Sequence, residues 1–293
     1  MRLTDRFPYE AIVDRPRLIL PQNKRLAVWV ILNVEEWGIE RPMPRTVLPP
    51  PMGQPLLPDV PNWSWHEYGM RSGFWRQHQA LVSRNIPVTL AINGNVCNSY
   101  PRVAGAGLDA GWEFMGHGHV QGPMHRLDDQ RGAIHAAMDS IEAFTGTRPR
   151  SWESPGLTET EATLDLLREA GVEYVADWVL DDLPQTTATP FGSITTVPYT
   201  VETNDITVYA LQGHRSDEFL TRGTDQFDRL YAEGADNARV MAISIHPYIT
   251  GVPHRIRYLE ELLDYIGGHE GVAWMTASQI GDWYTAEMAH KQT

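Results

Sequence analysis

Six stretches of the chain run from apolar, β-branched residues directly into side chains that carry protons or bind polar groups. "LAVWVILN" leads to Glu35 and Glu36, "PVTLAIN" to Asn93 and Asn95, and "WEFMGH" to His117 with His119 beyond it. "RSWES" contains Glu153, "VEYVADW" contains Asp177 with Asp181 and Asp182 following, and "VMAISIH" ends at His246. Carboxylates and imidazoles brought into one pocket do acid–base work. Imidazole titrates near neutrality, and two crowded carboxylates cannot both stay charged cheaply, so one keeps its proton and serves as an acid. Adjacent residues on a strand point to opposite faces, so only one of Glu35 and Glu36 can face a given cavity while the strand stays regular.

The elements that must position these groups are legible as alternating periods. Strand patterns occupy 26–33, 87–93, 112–117, 150–154, 172–178, 194–198, 240–246 and 272–276. Helical spacing appears at 70–84, where Phe74, Trp75, Leu81 and Val82 share a face, and again at 254–266 and 277–289. A further helix opens at Asp128 as N-cap and stops at Gly146; another opens with a Thr158–Glu161 capping box and stops at Gly171. Strands each followed by a helix or long loop predict one α/β domain over 1–293, an irregular (β/α) barrel of about seven strands, with an open doubly wound sheet as the alternative. Catalytic groups of such barrels stand at the C-terminal strand ends. That rule selects Glu35, Glu36, His117, Glu153 and His246 as candidate catalysts. Asn93, Asp182 and Arg255 are candidate substrate contacts, and Trp152 and Trp178 are candidate walls for a flat ring. "GAGLDAG" at 105–111 precedes a strand instead of following one, which excludes a phosphate-binding loop. Residues 42–61 are too rich in proline for a helix or central strand and read as a semi-rigid loop over one barrel end.

Composition narrows the partners. With 24 Lys and Arg against 37 Asp and Glu, the net charge of −13 is spread along the 293 residues, which argues against nucleic acid or an anionic membrane and for a small diffusible substrate. No run of eighteen apolar residues occurs, and "MRLTDRFPYEAIVDRP" lacks a signal-peptide core, so a cytoplasmic location is expected. Cys97 is the single cysteine and has no basic neighbour to favour thiolate; it reads as an inert buried thiol.

The ordered set "NVEEWG", "GHGHVQGPMH", "SWESPG", "DWVLDDLP" and "IHP" resembles the motif series of the polysaccharide deacetylase superfamily, in its allantoinase-like and cyclic imide hydrolase branch. "EYGMRSGFWR" at 67–76 and "VPYTVETND" at 197–205 are similar to that branch as well, and the resemblance runs from about residue 8 to 285. It implies the barrel fold and hydrolysis of a C–N bond in a small cyclic amide such as succinimide, glutarimide, hydantoin or allantoin. It also implies a homo-oligomer, a tetramer in the branch. Sugar deacetylases carry paired aspartates, a His-x-x-x-His and an arginine in the first three motifs. Here those positions hold Glu35 and Glu36, His117 with Gln121 four residues on, and the segment bearing Glu153. A neutral amide is a poor substitute for imidazole on zinc, so no cofactor is expected. The alternative is a sugar N-deacetylase using zinc or another divalent ion on Glu36, His117 and one of His119 or His125, and a third reading is a non-catalytic barrel that binds a small molecule. On the favoured reading the strand-one carboxylate that faces the barrel deprotonates water, His117 or His246 orients the attack or protonates the nitrogen, and Glu153 can take either part.

Overall fold

The computed structural model describes residues 3–292 and is built around one strand. β1 (Leu26–Val34) is buried along all nine residues. From Leu26 to Leu32 it pairs in parallel with β8 (Arg239–Ile245) on one edge. The other edge is shared, first by β9 (Val272–Trp274) and then by β2 (Val88–Ile92). From β2 the sheet continues in parallel through β3 (Glu113–Gly116), β4 (Ser151–Trp152), β5 (Tyr174–Val175) and β7 (Gly192–Thr196), and ends in the antiparallel β6 (Gln185–Thr189). The fold is α/β with a mostly parallel sheet of barrel type, as the sequence predicts, but the sheet path stays open. Its two ends meet through the Asn204–Ser244 bridge and the bond from Val240 N–H to the Asp182 carbonyl at 2.9 Å. The strand expected at 194–198 is β7, but its hairpin partner β6 is absent from the sequence reading because that Thr-rich strand has no apolar alternation to announce it.

β1 sorts its side chains by parity. Leu26, Val28, Val30, Leu32 and Val34 face outward into a core shared with the surrounding helices, whereas Ala27, Trp29 and Ile31 face the barrel interior with Met115, Tyr174, Tyr199 and Ala242. The same alternation puts Asn33 and Glu35 on the interior side and Glu36 outside it. Each apolar side chain so buried contributes about 1.5–3 kcal/mol, which makes the register of β1 costly to slip.

The helices are α1 (Leu3–Arg6), α2 (Val60–Tyr68), α3 (Phe74–Val82), α4 (Val96–Ser99), α5 (Pro101–Asp109), α6 (Gln130–Thr145), α7 (Thr163–Glu169), α8 (Glu218–Glu233), α9 (Ile256–Gly267) and α10 (Ala277–Gln292). Two start signals differ from the sequence reading. Asp129, one residue after Asp128, caps α6 by accepting from Gly132 N–H. The Thr158–Glu161 box does not form; α7 begins at Thr163, whose hydroxyl instead accepts from Thr160 N–H. The stop at Gly146 is in place, with the left-handed φ of 76° that glycine adopts without strain. The helix expected from residue 70 starts ten residues earlier. A π-helical turn, Gly69–Gly73, joins α2 to α3 and lays two glycines against the segment after β8. A Cβ at Gly73 would stand 2.0 Å from the Pro247 carbonyl oxygen, and one at Gly69 2.5 Å from Tyr248 N. This backbone-to-backbone contact fixes where His246 and Tyr248 lie. Gly73→Ala is expected to cost about 1–3 kcal/mol by overpacking and to lower the melting temperature by roughly 2–4 °C per kcal/mol, read by calorimetry.

Candidate active site

Interior-facing residues just past the ends of β1, β3, β4 and β8 converge. Glu35, His117, Glu153 and His246 are each 4% exposed or less. Glu35 Oε1 lies 3.7 Å from His246 Nε2 and 4.0 Å from His117 Nε2, and it accepts a hydrogen bond from Gln121 Nε2 at 2.9 Å. Glu35 Oε2 accepts from Trp37 Nε1 at 2.7 Å. Burial pushes the Glu35 carboxyl up, but the surrounding His246, His117, Arg45 and His66 outweigh it and hold it below the usual carboxylate range.

The two imidazoles are oriented from behind. His117 Nδ1 is 2.8 Å from the Glu153 carbonyl, which can only accept, so Nδ1 carries the proton and the buried Nε2, without a partner, offers its lone pair to the cavity. Burial draws this imidazole's pKa down, keeping it neutral. His246 Nδ1 is bonded at 2.7 Å to Asp205 Oδ1, while Asp205 Oδ2 accepts from the His246 N–H at 2.7 Å and from the Thr250 hydroxyl at 2.5 Å. A fully buried carboxylate thus fixes both the position and the tautomer of His246. Glu153 is in the opposite state from Glu35. Burial first, and the nearby Asp177 second, raise its pKa well above the usual value, and its Oε2 is buried without a partner. Of the two carboxyls it is the one that holds its proton more tightly.

An aromatic wall closes one side. His66 stacks on Trp37 at 4.5 Å and 16°, and Tyr248 meets Trp37 edge-on at 5.1 Å and Trp65 at 4.9 Å. Glu36 lies outside this enclosure, half-buried, with Oε2 accepting from Asn95 Nδ2 at 2.8 Å. It lines a cleft of about 430 Å³ together with Trp37, Arg41, Asn95 and Gln121. Trp37 and Gln121 therefore separate that cleft from Glu35.

The remaining candidates are placed as follows. Asn93 is a positioning group: its oxygen accepts from Glu36 N–H at 2.8 Å, and its Nδ2 donates to the His117 carbonyl and, at 3.2 Å, to Gln121 Oε1. Trp152 is on the outer parity of β4 and is fully buried against Gly116 and α6, not in the cavity. Trp178 packs on Phe7 at 4.8 Å and donates to Glu159. Asp182 is at the wrong end of the barrel, since its carbonyl pairs with Val240 near the start of β8. Arg255 lies over the Tyr209 ring at 4.3 Å and donates to the Ile249 carbonyl at 3.3 Å. His119 is half-buried with its carbonyl bound to Asn95 N–H, and His125 is exposed. Asp205 and His66 are absent from the sequence reading: Asp205 stands 41 residues before His246 at the end of the family-like stretch "VPYTVETND", His66 directly precedes "EYGMRSGFWR", and neither has a spacing that marks it as a partner of the site.

No three His, Cys, Asp or Glu among the described residues are arranged to hold a metal. The Asn93 amide is oriented by its bond to Glu36 N–H, which in turn orients Gln121 so that its N–H end points at Glu35 Oε1. The N–H end of Gln121 thereby occupies one lone pair of Glu35 Oε1.

The family model for Polysaccharide deacetylase matches residues 66–175. The crystal structure of Puue allantoinase superposes with a TM-score of 0.84 at 30% identity, covering 93% of this chain and 94% of that one. A probable polysaccharide deacetylase from Pseudomonas aeruginosa PAO1 gives 0.84 at 29%, over 94% and 95% of the two chains. A Schizosaccharomyces pombe protein carrying a polysaccharide deacetylase name is 29% identical over 302 residues, 92% of this chain and 93% of that one.

The geometry predicts a pH dependence of stability. Burial holds the His66 imidazole down at about 4, against the opposing pull of Glu35 and Glu67, so it binds its proton more weakly folded than unfolded. Its contribution to stability is fully present above the unfolded value of 6.5 and is lost as the pH falls through about 4. The urea midpoint should decline across that window, and His66→Phe should remove this part of the decline.

Proposed function

The chain belongs to the polysaccharide deacetylase superfamily, and from that premise we propose that it hydrolyses a ring C–N bond of a small cyclic amide, an imide such as succinimide, glutarimide or hydantoin or the ureide allantoin, without a metal ion. The observation that carries this reading is the enclosure of Glu35, His117, Glu153 and His246 beneath Trp37, His66 and Tyr248. A polymer needs an open groove across the reacting groups. A small flat ring is the class of substrate that such a buried group of carboxyls and imidazoles beside aromatic side chains would take.

The steps follow from the protonation states. Water between Glu35 and His117 gives a proton to Glu35 as its oxygen bonds to the ring carbonyl carbon. The carbonyl oxygen gains the electron pair and takes a hydrogen bond from the neutral Glu153 carboxyl, an oxyanion donor placed in a dry site. As the oxyanion re-forms the carbonyl, the C–N bond breaks, and the proton held by Glu35 passes through His246 Nε2, 3.7 Å away, to the departing nitrogen. Water has then been divided between carbon and nitrogen, giving an open-chain acid amide. An imide or ureide nitrogen leaves readily because a second carbonyl shares its charge, so general base catalysis worth about 10²–10⁴-fold is sufficient help.

A second reading, allantoin as the sole substrate, is favoured by the full-length likeness to Puue allantoinase. Purified protein tested on allantoin, hydantoin, succinimide, glutarimide and an acetylated chito-oligomer, before and after chelation, separates these. Ring opening that survives chelation is expected; deacetylation of the oligomer that is lost on chelation would overturn the proposal. On the substrate found, Glu35→Gln should lower turnover at least about 10²-fold with the fold intact by circular dichroism, whereas Glu36→Gln should cost less than about tenfold. Equal losses in the two variants would remove Glu35 as the base.

A further inference from the structure

Glu35 Oε1 has two lone pairs, and one of them is taken. Gln121, in the segment between β3 and α6, donates its Nε2–H to this oxygen at 2.9 Å. Trp37 Nε1 donates to Oε2 at 2.7 Å, so that one N–H on each oxygen sets the plane of the carboxylate. His246 Nε2 at 3.7 Å and His117 Nε2 at 4.0 Å are too far from Oε1 for direct hydrogen bonds, and a water can bridge spans of that length.

The direction of the Gln121 amide is fixed by two backbone groups. Glu36 N–H can only donate, so the Asn93 atom 2.8 Å from it is the oxygen, and the His117 carbonyl can only accept, so the Asn93 atom that meets it is Nδ2. Both demand the same orientation of Asn93. Its Nδ2 then donates at 3.2 Å to Gln121 Oε1, which leaves Gln121 Nε2 for Glu35. A reversed Gln121 would set nitrogen against nitrogen at Asn93 and oxygen against oxygen at Glu35. The main chain is held as well, with Gln121 N–H on the Glu36 carbonyl at 3.3 Å. Half-buried at the edge of the outer cleft, this amide does not titrate, so it holds the carboxylate without competing for its proton.

We propose that Gln121 is a positioning residue for the reaction: its fixed amide occupies the cleft-side lone pair of Glu35 Oε1 and leaves the other to the attacking water beside His117 and His246. The inference rests on the reading of Glu35 as the base. A donor to a carboxylate also favours its charged form, so loss of the Gln121 N–H raises the pH at which Glu35 ionises. His117, His246, His66, Arg45, Tyr248 and Glu153 are ionisable groups that also act on Glu35, and the variants below leave all of them in place.

Infrared difference spectroscopy follows Glu35 without substrate, its carboxylate band being the one lost in Glu35→Gln. Gln121→Met keeps the length of the side chain and removes the donor, so the midpoint at which that band appears should rise by about one pH unit, roughly a tenfold change in the ionised fraction below it. Gln121→Asn keeps an amide but withdraws it by one methylene; the same upward direction is expected, and it serves where Gln121→Met does not fold. A midpoint unmoved in the folded variant would overturn the proposal. On whichever of allantoin, hydantoin, succinimide or glutarimide is turned over, the acid limb of kcat/KM should move up with the midpoint. On the plateau kcat should fall about tenfold with KM nearly unchanged, because the freed carboxylate no longer faces the water. A loss equal at every pH, with limb and midpoint both in place, overturns the positioning role alone. An active Glu35→Gln, or a limb that stays while the midpoint moves, overturns the reading of Glu35 as the base.

Discussion

A charged carboxylate, Glu35, is held out of water at the end of the central strand, and the surrounding structure is organised by the need to keep it there. An isolated ion in an apolar interior is costly by several kcal/mol or more, so it persists only where donors and positive groups replace its hydration. Trp37 and Gln121 supply the N–H donors that take the place of water. The groups around it are each held in turn. Gln121 is oriented by Asn93, His117 by a backbone carbonyl, and His246 by Asp205. Removing any one helper leaves a buried polar group unpaired, which is why the cluster behaves as a unit.

The same burial separates the two carboxyls of the site. Glu35 is surrounded by imidazoles and kept charged, whereas Glu153 faces other carboxyls and apolar walls and keeps its proton. Carboxyl pKa values pushed in opposite directions within one small enclosure suit the proposed ring opening, in which one group accepts a proton from water while another donates to the developing oxyanion. The paired glutamates at 35 and 36 resolve accordingly. One faces the reacting groups and the other, bound to Asn95, faces the outer cleft.

Much of this was written in period and order. The apolar run of β1, the strand-end placement of His117, Glu153 and His246, and the stops at Gly146 and Gly171 are local signals, and the structure brings those three site residues together with Glu35. β6 carries no such signal, and strand-end position alone misleads for Trp152, Trp178 and Asp182. A residue near a strand end reaches the cavity only if its parity and its end of the barrel are both right. Trp152 fails by parity and Asp182 by end.

By itself the sequence determined which residues alternate on which strand, and so that the interior parity of β1 continues through Ala27, Trp29, Ile31 and Asn33 to Glu35. That follows from chain geometry, which depends only on neighbours. Partnership across the barrel was decided by tertiary structure alone. Asp205 behind His246 and His66 stacked on Trp37 join residues 41 and 29 positions apart in the chain. Their contacts exist because the sheet path and the glycine-to-backbone approach at Gly73 set the distances between strand ends, and no local periodicity encodes those distances.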